Sequence, residues 1–187
     1  MIHCGYVTWD VLLVKQAVTT HHQKREILRL ARSGHTRRLQ PLLESEVDIN
    51  FVHRKTSMTP LMAAAHAGCI AMVELLLKYN ADPNLRADDN ASALHWARRN
   101  GNLEVVNMLV AAGADVNARR QTDRDGDGPA PIHMALGESR DDVAIALIKA
   151  GASVDIKYIG RTVLQYAEWC ECVSVVNYLR HSGIQRG

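Results

Sequence analysis

The chain has 187 residues, a formal net charge of +2 and 47% hydrophobic residues, values typical of one soluble globular domain. Its 22 basic and 20 acidic residues nearly balance, which argues against nucleic-acid binding and against a polybasic membrane anchor. No apolar run reaches the roughly 18 residues of a membrane-spanning helix, so we expect no membrane insertion.

Residues 1–24 lie outside the pattern that organises the rest of the chain. Four apolar residues there recur at near-helical spacing: Tyr6, Trp9, Leu13 and Ala17. No basic stretch precedes this apolar segment, so a secretory signal is not predicted; a mitochondrial presequence stays open because acidic residues are sparse before Glu26. We expect a helix or an extended arm that either covers the first repeat or docks on another protein.

The cysteines predict a reducing compartment. Cys4, Cys69, Cys170 and Cys172 form no C-x-x-C pair and no disulfide framework, so we predict a cytoplasmic protein. Cys170 and Cys172 lie one residue apart, and on a helix two such side chains point to different sides. A zinc site at this pair is therefore not predicted.

Two short patterns recur along the chain, and a constant 21 residues separate the start of one from the start of the other. The first reads TPLMAAAHAG from Thr59, SALHWARRNG from Ser92, APIHMALGES from Ala130 and TVLQYAEWCE from Thr162. The second reads NADPN from Asn80, GADVN from Gly113, GASVD from Gly151 and a decayed GIQRG from Gly183. An earlier copy fits as EILRLARSGH followed by EVDIN. This regularity indicates a tandem repeat.

Each copy predicts two helices joined by a turn. A proline or a small residue opens a short Ala-rich helix, and a Gly-containing turn leads to a second helix. In LEVVNMLVAAG the apolar residues Leu103, Val106, Leu109 and Val110 recur at helical spacing, and Gly113 fits a helix C-cap. One helix pair cannot bury its own apolar face, but stacked copies can.

The carriers of these patterns resemble the ankyrin repeat family. They are TPL at Thr59–Leu61, the LH and IH pairs ending at His95 and His133, and the GADVN-type turns. The resemblance implies an all-α repeat solenoid, built from stacked helix-turn-helix ankyrin repeats with finger-like connecting loops. We place an N-terminal arm or cap at 1–24 and the repeat domain at 25–187, with repeats at about 25–57, 58–90, 91–128, 129–160 and 161–187.

The histidines His95 and His133 are the groups that most resemble ligands or acid–base residues. The resemblance implies a structural role instead, in which this histidine ties the backbone of its repeat together. Met62 and Gln165 hold the equivalent position in other copies, which argues against a shared catalytic role.

The position after this histidine carries Arg29, Ala63, Trp96, Met134 and Tyr166 in the five copies. The resemblance places it on the concave face, toward solvent and partners. Exposed Trp and Tyr are favoured interface anchors, so we interpret the row as a binding strip; the alternative is that Trp96 simply packs against its neighbours. The predicted partner-binding residues are Trp96, Arg99, Met134, Tyr166, Trp169, His66, Arg119 and Arg120.

The predicted fingers mix both charges. Basic residues lie at Arg54, Lys55, Arg86, Arg119, Arg120, Lys157 and Arg161, with Asp88 and Asp89 among them. A solvated mixed-charge edge is favoured over a basic rail for an acidic partner. The longest finger, RRQTDRDGDGPAP, contains Asp123, Asp125 and Asp127, half of a calcium-loop spacing. Met134 stands where the bidentate Glu should be, so calcium is a weak alternative and no metal or cofactor is predicted.

The motifs of common enzymes, such as G-x-S-x-G, H-E-x-x-H or a phosphate-binding glycine loop, do not occur, so an enzyme is not predicted. The sequence favours a non-enzymatic adaptor or scaffold that binds another protein through its concave face and fingers. Two alternatives stay open. One is a structural subunit of a large, permanent multi-subunit complex, and the other is an inhibitor that blocks a partner enzyme such as a kinase.

Overall fold

A computed structural model describes residues 20–45, 47–97, 102–121 and 128–183, and over these ranges the chain forms ten helices and no β-strand. The helices come in five consecutive pairs: α1 (His21–Ser33) and α2 (Thr36–Glu44), α3 (Pro60–Ala67) and α4 (Ile70–Lys78), α5 (Ala93–Ala97) and α6 (Leu103–Ala111), α7 (Pro131–Gly137) and α8 (Asp141–Lys149), α9 (Val163–Trp169) and α10 (Val173–His181). The predicted helix-turn-helix repeats and the all-α solenoid are confirmed.

The pairs stack into two layers. The first helices of the pairs contact one another in the order α1, α3, α5, α7 and α9, and the second helices do so in the order α2, α4, α6, α8 and α10. Each repeat therefore contacts its immediate neighbours, which is the quasi-one-dimensional architecture of a solenoid.

Small residues set the spacing of the first layer. Ala64, Ala65, Ala97, Ala135 and Ala167 are fully buried, so neighbouring first-layer helices approach closely. Larger apolar side chains fill the space between the layers, and those that lose all or nearly all contact with water include Leu39, Met72, Leu76, Leu109, Leu147 and Leu179. The core runs through the whole stack, as expected for repeats that bury one another's faces.

A ladder of asparagine side chains joins successive turns. The side-chain amide of Asn84 donates to the Gly113 carbonyl oxygen (2.9 Å), and its side-chain oxygen accepts from the Asp115 N–H (2.8 Å). Asn50 makes the same two bonds to Asn80 and Asp82, and Asn117 makes them to Gly151 and Ser153. The asparagine that ends each of these three turns thus joins it to the first residues of the next turn, which explains why asparagine recurs there.

Helix α1 differs from the other first-layer helices in its length. It has 13 residues, against 8, 7 and 7 in α3, α7 and α9. It begins at His21 after the cap Thr20, so the boundary placed at residues 24 and 25 falls inside a helix. Residues 1–19, to which most of the predicted arm belongs, lie outside the described part of the chain. No described helix is long and apolar enough to cross a membrane.

Candidate functional site

The histidine of the LH pair holds its own repeat to the next one. His95 is 2% exposed, and its Nδ1 accepts from the backbone N–H of Ser92 (3.1 Å). The proton therefore lies on Nε2, which donates to the Pro129 carbonyl oxygen (3.2 Å). Burial lowers the pKa of His95 to about 4, so the ring is neutral at neutral pH. The predicted structural role of His95 is confirmed.

His133 occupies the equivalent place one repeat later and is also structural. Its Nδ1 accepts from the Ala130 N–H (3.3 Å), and burial lowers its pKa to about 4. Gln165 makes the same contact in the last repeat, where its side-chain oxygen accepts from the Thr162 N–H (3.0 Å). The position thus requires an acceptor at the third residue of the helix, and a histidine is one of several residues that supply it.

The two central residues of the predicted strip are half-buried. The Trp96 ring stacks on His66 of the preceding repeat, with ring centroids 5.2 Å apart and an angle of 26° between the planes. Met134 is half-buried as well. The stacking gives Trp96 a packing role within the array, which was the alternative interpretation, and leaves part of its surface accessible.

The expectation that Tyr166 is exposed is wrong, because the ring is only 7% exposed. It is enclosed by His133 (5.6 Å between centroids), Tyr158 (5.6 Å) and Trp169 (5.4 Å). Burial, followed by the neighbouring Cys170 thiol, raises the pKa of Tyr166. Of these neighbours, Tyr158 had not been named from the sequence. Ala63, in the same row, is also buried, at 2% exposure.

Trp169 is the most prominent apolar side chain of the first layer. It is 60% exposed at the end of α9, with the buried Tyr166 packed against it. The Arg161 guanidinium lies over the ring, 5.1 Å from its centroid. A cation over a Trp face adds about 0.5–1 kcal/mol at an exposed site, so these contacts favour one orientation of the indole.

The finger before α9 presents a residue that the sequence analysis missed. Ile159 is 58% exposed and has a φ of 52°, a left-handed conformation that a β-branched residue rarely adopts. It lies in a tight turn, where Tyr158 and Arg161 exchange two backbone hydrogen bonds (3.0 and 3.1 Å). Gly160 marks the turn in the sequence, but the exposure of the isoleucine before it follows only from the structure.

Arg119 and Arg120 are held within the chain. Arg120 forms an ion pair with Asp89 of the preceding finger, and the Arg119 guanidinium donates to the carbonyl oxygens of Gly128 (3.2 Å) and Lys157 (2.9 Å). Arg86 pairs with Asp115 in the same manner (3.1 Å). These arginines join neighbouring fingers, so the favoured interpretation, a mixed-charge edge, describes this part of the surface better than a free basic rail.

The remaining candidates fall into two groups. Arg99, Asp123, Asp125 and Asp127 lie outside the described ranges, and the predictions for them stay predictions. Cys170 and Cys172 lie within them: Cys172 is buried, and its thiol donates to the Leu136 carbonyl oxygen (3.4 Å). Burial, followed by the neighbouring Asp141, raises the pKa of Cys172 to about 12, so its thiol stays protonated.

Comparisons with known proteins agree with this geometry. A family model described as ankyrin repeats (3 copies) matches residues 27–120, and one described as ankyrin repeats (many copies) matches residues 94–148. The chain is 34% identical over 132 residues to protein lin-12 of Caenorhabditis elegans, covering 65% of this chain and 9% of that protein.

Two further relatives are proteins of other classes than lin-12. The transient receptor potential channel pyrexia of Drosophila melanogaster is 31% identical over 165 residues, covering 86% of this chain and 15% of the channel. The B-cell lymphoma 3 protein homolog of Mus musculus is 40% identical over 74 residues, covering 40% of this chain and 16% of the relative. The chain thus spans less than a fifth of each of these three relatives. Taken with the stacked helix pairs, the matches show that the chain belongs to the ankyrin repeat family.

Proposed function

We propose that the chain is a non-enzymatic protein-binding module, an adaptor or scaffold, whose partner docks on the first helix layer and the fingers. The single observation that carries the proposal is the exposure of two large apolar side chains, Ile159 in the finger before α9 and Trp169 at the end of α9. Ankyrin repeats generally mediate protein–protein interaction and are not enzymes, which supports the class of function.

The surroundings of Trp169 suit an interface anchor. Burying a side chain of this size against a partner contributes about 2 kcal/mol or more, and tryptophan is enriched among binding hot spots. Tyr166 and Arg161 already restrict the indole, so little rotamer freedom remains to be lost when a partner binds. The same reasoning applies to Ile159, because its short turn fixes the direction of the side chain.

The other members of the strip extend the surface toward the N-terminus. His66 and Trp96 form a stacked pair, and Met134 lies between that pair and the aromatic group of the last repeat. We propose that these half-buried side chains form the floor of the interface and that Arg119, Arg120 and Arg99 contribute to its edge. Tyr166 acts as a support for Trp169 and contributes no exposed contact of its own.

The chemistry of the buried titratable groups agrees with a binding role. His95 uses both ring nitrogens on the backbone, and His133 uses Nδ1 in the same manner. Both rings are therefore committed to the fold, and neither is positioned as a general acid or base toward solvent. Cys69, Cys170 and Cys172 are free thiols, which supports the proposed cytoplasmic location.

A fixed subunit of a larger assembly is the second candidate. Val173, at the start of α10 in the second layer, is 66% exposed. Apolar side chains exposed on both layers fit a chain that is covered on two sides in a permanent complex.

Partner capture from a native lysate, read by mass spectrometry, distinguishes these functions. The baits are the wild type, Trp169→Ser and the matched variant Val173→Ser, each first checked for an unchanged unfolding midpoint. The proposal predicts that one set of proteins is lost with Trp169→Ser and kept with Val173→Ser. Loss with both variants favours the fixed subunit. Retention of every protein with Trp169→Ser contradicts the proposed surface.

A further inference from the structure

A second surface lies at the other end of the described stack, on the first helix. One face of α1 packs against α3, and a different face forms the wall of an open groove of about 510 Å³. The groove lies between α1 and the first finger, and its lining is Arg25, Leu28, Arg29, Arg32, Ser33 and His53.

Positive charge is concentrated around this groove. Residues 20–57 contain eight basic and four acidic residues. The net positive charge of this segment is therefore larger than that of the whole chain, which is +2. Glu26, the acidic residue of α1, pairs with Arg29 (2.7 Å) and lies 3.9 Å from Arg38. Arg25 and Arg32 are exposed and form no ion pair with any residue that the structure describes.

His53 adds an incompletely paired polar group to the groove lining. The side chain is 7% exposed, and its Nδ1 lies 3.1 Å from the Thr56 hydroxyl. Its Nε2 is buried and has no hydrogen-bond partner within the described ranges. Its ring is stacked with that of His21, with centroids 6.1 Å apart and 18° between the planes. Buried nitrogen atoms are usually paired, and when the ring is protonated both its nitrogens are donors, so Nε2 then needs an acceptor.

We propose that this groove binds an acidic segment of a protein partner, with carboxylates against Arg25 and Arg32 and one carboxylate beside His53. Carboxylates supply both the counter-charge that the arginines lack and the acceptor that His53 lacks. The chain's own residues 1–19 are a poor match, because they contain a single acidic residue, Asp10. The groove is separate from the Trp169 surface, so this site does not depend on the proposed function.

The groups around His53 make the binding pH-dependent. His21, Lys24 and Arg25 face it from α1, and Arg54 and Lys55 lie beside it in the first finger. Burial, followed by His21, Arg25 and Lys55, lowers the pKa of His53. A bound carboxylate favours the imidazolium form and raises that pKa. Binding therefore tightens as the pH falls through the raised pKa of the bound state, while peptide carboxylates stay ionised down to about pH 5.

A fluorescein-labelled poly-glutamate peptide is the probe, and fluorescence anisotropy at low salt gives its Kd for the full chain. Arg25→Glu is the test variant. Arg37→Glu, an equal charge change at an exposed site on α2 outside the groove, is the matched control. We expect Arg25→Glu to weaken binding about tenfold or more, Arg37→Glu to weaken it about twofold, and Trp169→Ser to leave it unchanged.

The His53 ring resonance provides a second readout, because its NMR titration gives the pKa with and without the peptide. The proposal predicts that the peptide raises this pKa and that His53→Gln removes the pH dependence of binding. Absence of binding, an equal loss with Arg37→Glu, or tighter binding of oligothymidylate than of poly-glutamate overturns it. A loss of peptide binding with Arg25→Glu while Trp169→Ser alone loses captured proteins supports two separate surfaces.

Discussion

At the residue scale, the buried histidines explain how single side chains hold the array together. His95 accepts from one end of its own helix and donates to the loop that precedes the next, so one neutral ring satisfies backbone groups of two repeats. A charged ring would have to leave water for a site with no carboxylate within hydrogen-bonding distance. The fold therefore selects the neutral form, which links its stability to pH.

We predict that stability falls as the pH falls below about 6.5. The pKa of both His95 and His133 is about 4 in the folded chain, against 6.5 in the unfolded chain, so the unfolded state takes up more protons between these values. Their stabilising contribution is fully present above pH 6.5 and is lost progressively toward pH 4, at up to about 1.4 kcal/mol per pH unit for each ring. Urea unfolding at pH 7 and at pH 5 measures the difference.

The substitution His95→Gln separates this effect from general acid unfolding. Gln165 makes the same contact to its helix cap, so glutamine should keep the bond to Ser92 and lose the bond to Pro129. The expected cost at pH 7 is about 1 kcal/mol, and the dependence of stability on pH should become shallower. An unchanged pH dependence would show that His95 is not the titrating group.

Some residue-scale features could be predicted from the sequence and others could not. The structural role of His95 was implied by the resemblance to the ankyrin repeat family, and Met62 and Gln165 at the equivalent position argued against catalysis. Tyr166 was assigned to the exposed face from its row, but Tyr158 and His133, which lie in other segments, bury it. Gly160 indicates a turn beside Ile159, but the sequence does not predict the left-handed conformation of the isoleucine itself.

At the element scale, hydrogen bonds from asparagine side chains join successive turns, in addition to the packing of the helices. The period and the helix pair of each repeat could be predicted from the 21-residue offset, because Pro, Gly and apolar spacing indicate where helices start and stop. The asparagine of the GADVN pattern was used only as a marker. Its function needs the geometry, since each side chain bridges to residues about thirty positions later.

We predict that Asn84→Ala destabilises the array, whereas Asn107→Ala does not. Asn84 makes two hydrogen bonds to the next turn, and their loss at an exposed site should cost about 1 kcal/mol. Asn107 is exposed in the middle of α6, where alanine is the better helix former and the effect should be neutral or slightly stabilising. Unfolding free energies measure both effects. Equal effects would show that the hydrogen bonds of Asn84 to the next turn do not stabilise the array.

Two glycine substitutions test the close approach of the first two repeats. Gly34 and Gly113 both have positive φ (71° and 84°), so alanine is strained at either. At Gly34 an added Cβ would also lie 3.0 Å from the Cys69 sulfur, whereas nothing lies within 4 Å at Gly113. We expect Gly113→Ala to cost about 1 kcal/mol and Gly34→Ala to cost more.

The additional substitution Cys69→Ala provides the control for this comparison. It removes the sulfur that the new Cβ would meet, so it should recover part of the loss in Gly34→Ala. If Gly34→Ala still lost more stability than Gly113→Ala when Cys69→Ala is also present, the contact with the sulfur would not be the cause. Differential scanning calorimetry on the single and double variants gives the answer.

At the scale of the whole molecule, the fold is an extended frame with different chemistry at its two ends. The first repeat carries an excess of positive charge around α1, and the segment that contains the last finger and α9 carries the exposed apolar side chains Ile159 and Trp169. A solenoid keeps such surfaces apart because each repeat contacts its immediate neighbours. The two proposed surfaces would therefore allow two partner segments to bind at once, as we propose for an adaptor.

The class of fold was predictable from the sequence, but the position of the interface was less so. A repeat is recognisable in the sequence because the same local pattern recurs, and each copy supports the assignment of the others. A binding surface occurs once, and it depends on which side chains stay exposed after packing. Trp169 was named among eight candidates, and its exposure distinguishes it from Trp96 and Tyr166, which are packed within the array.

Hydrogen exchange of the full chain with and without its captured partner tests most directly whether that partner docks on the Ile159 turn and α9. The partner should protect the backbone amides of residues 158–170, which contain the Ile159 turn and α9, more than those of α10. Slowed exchange there that disappears with Trp169→Ser is the predicted result. Protection that falls on α10 alone, with none across residues 158–170, would contradict it.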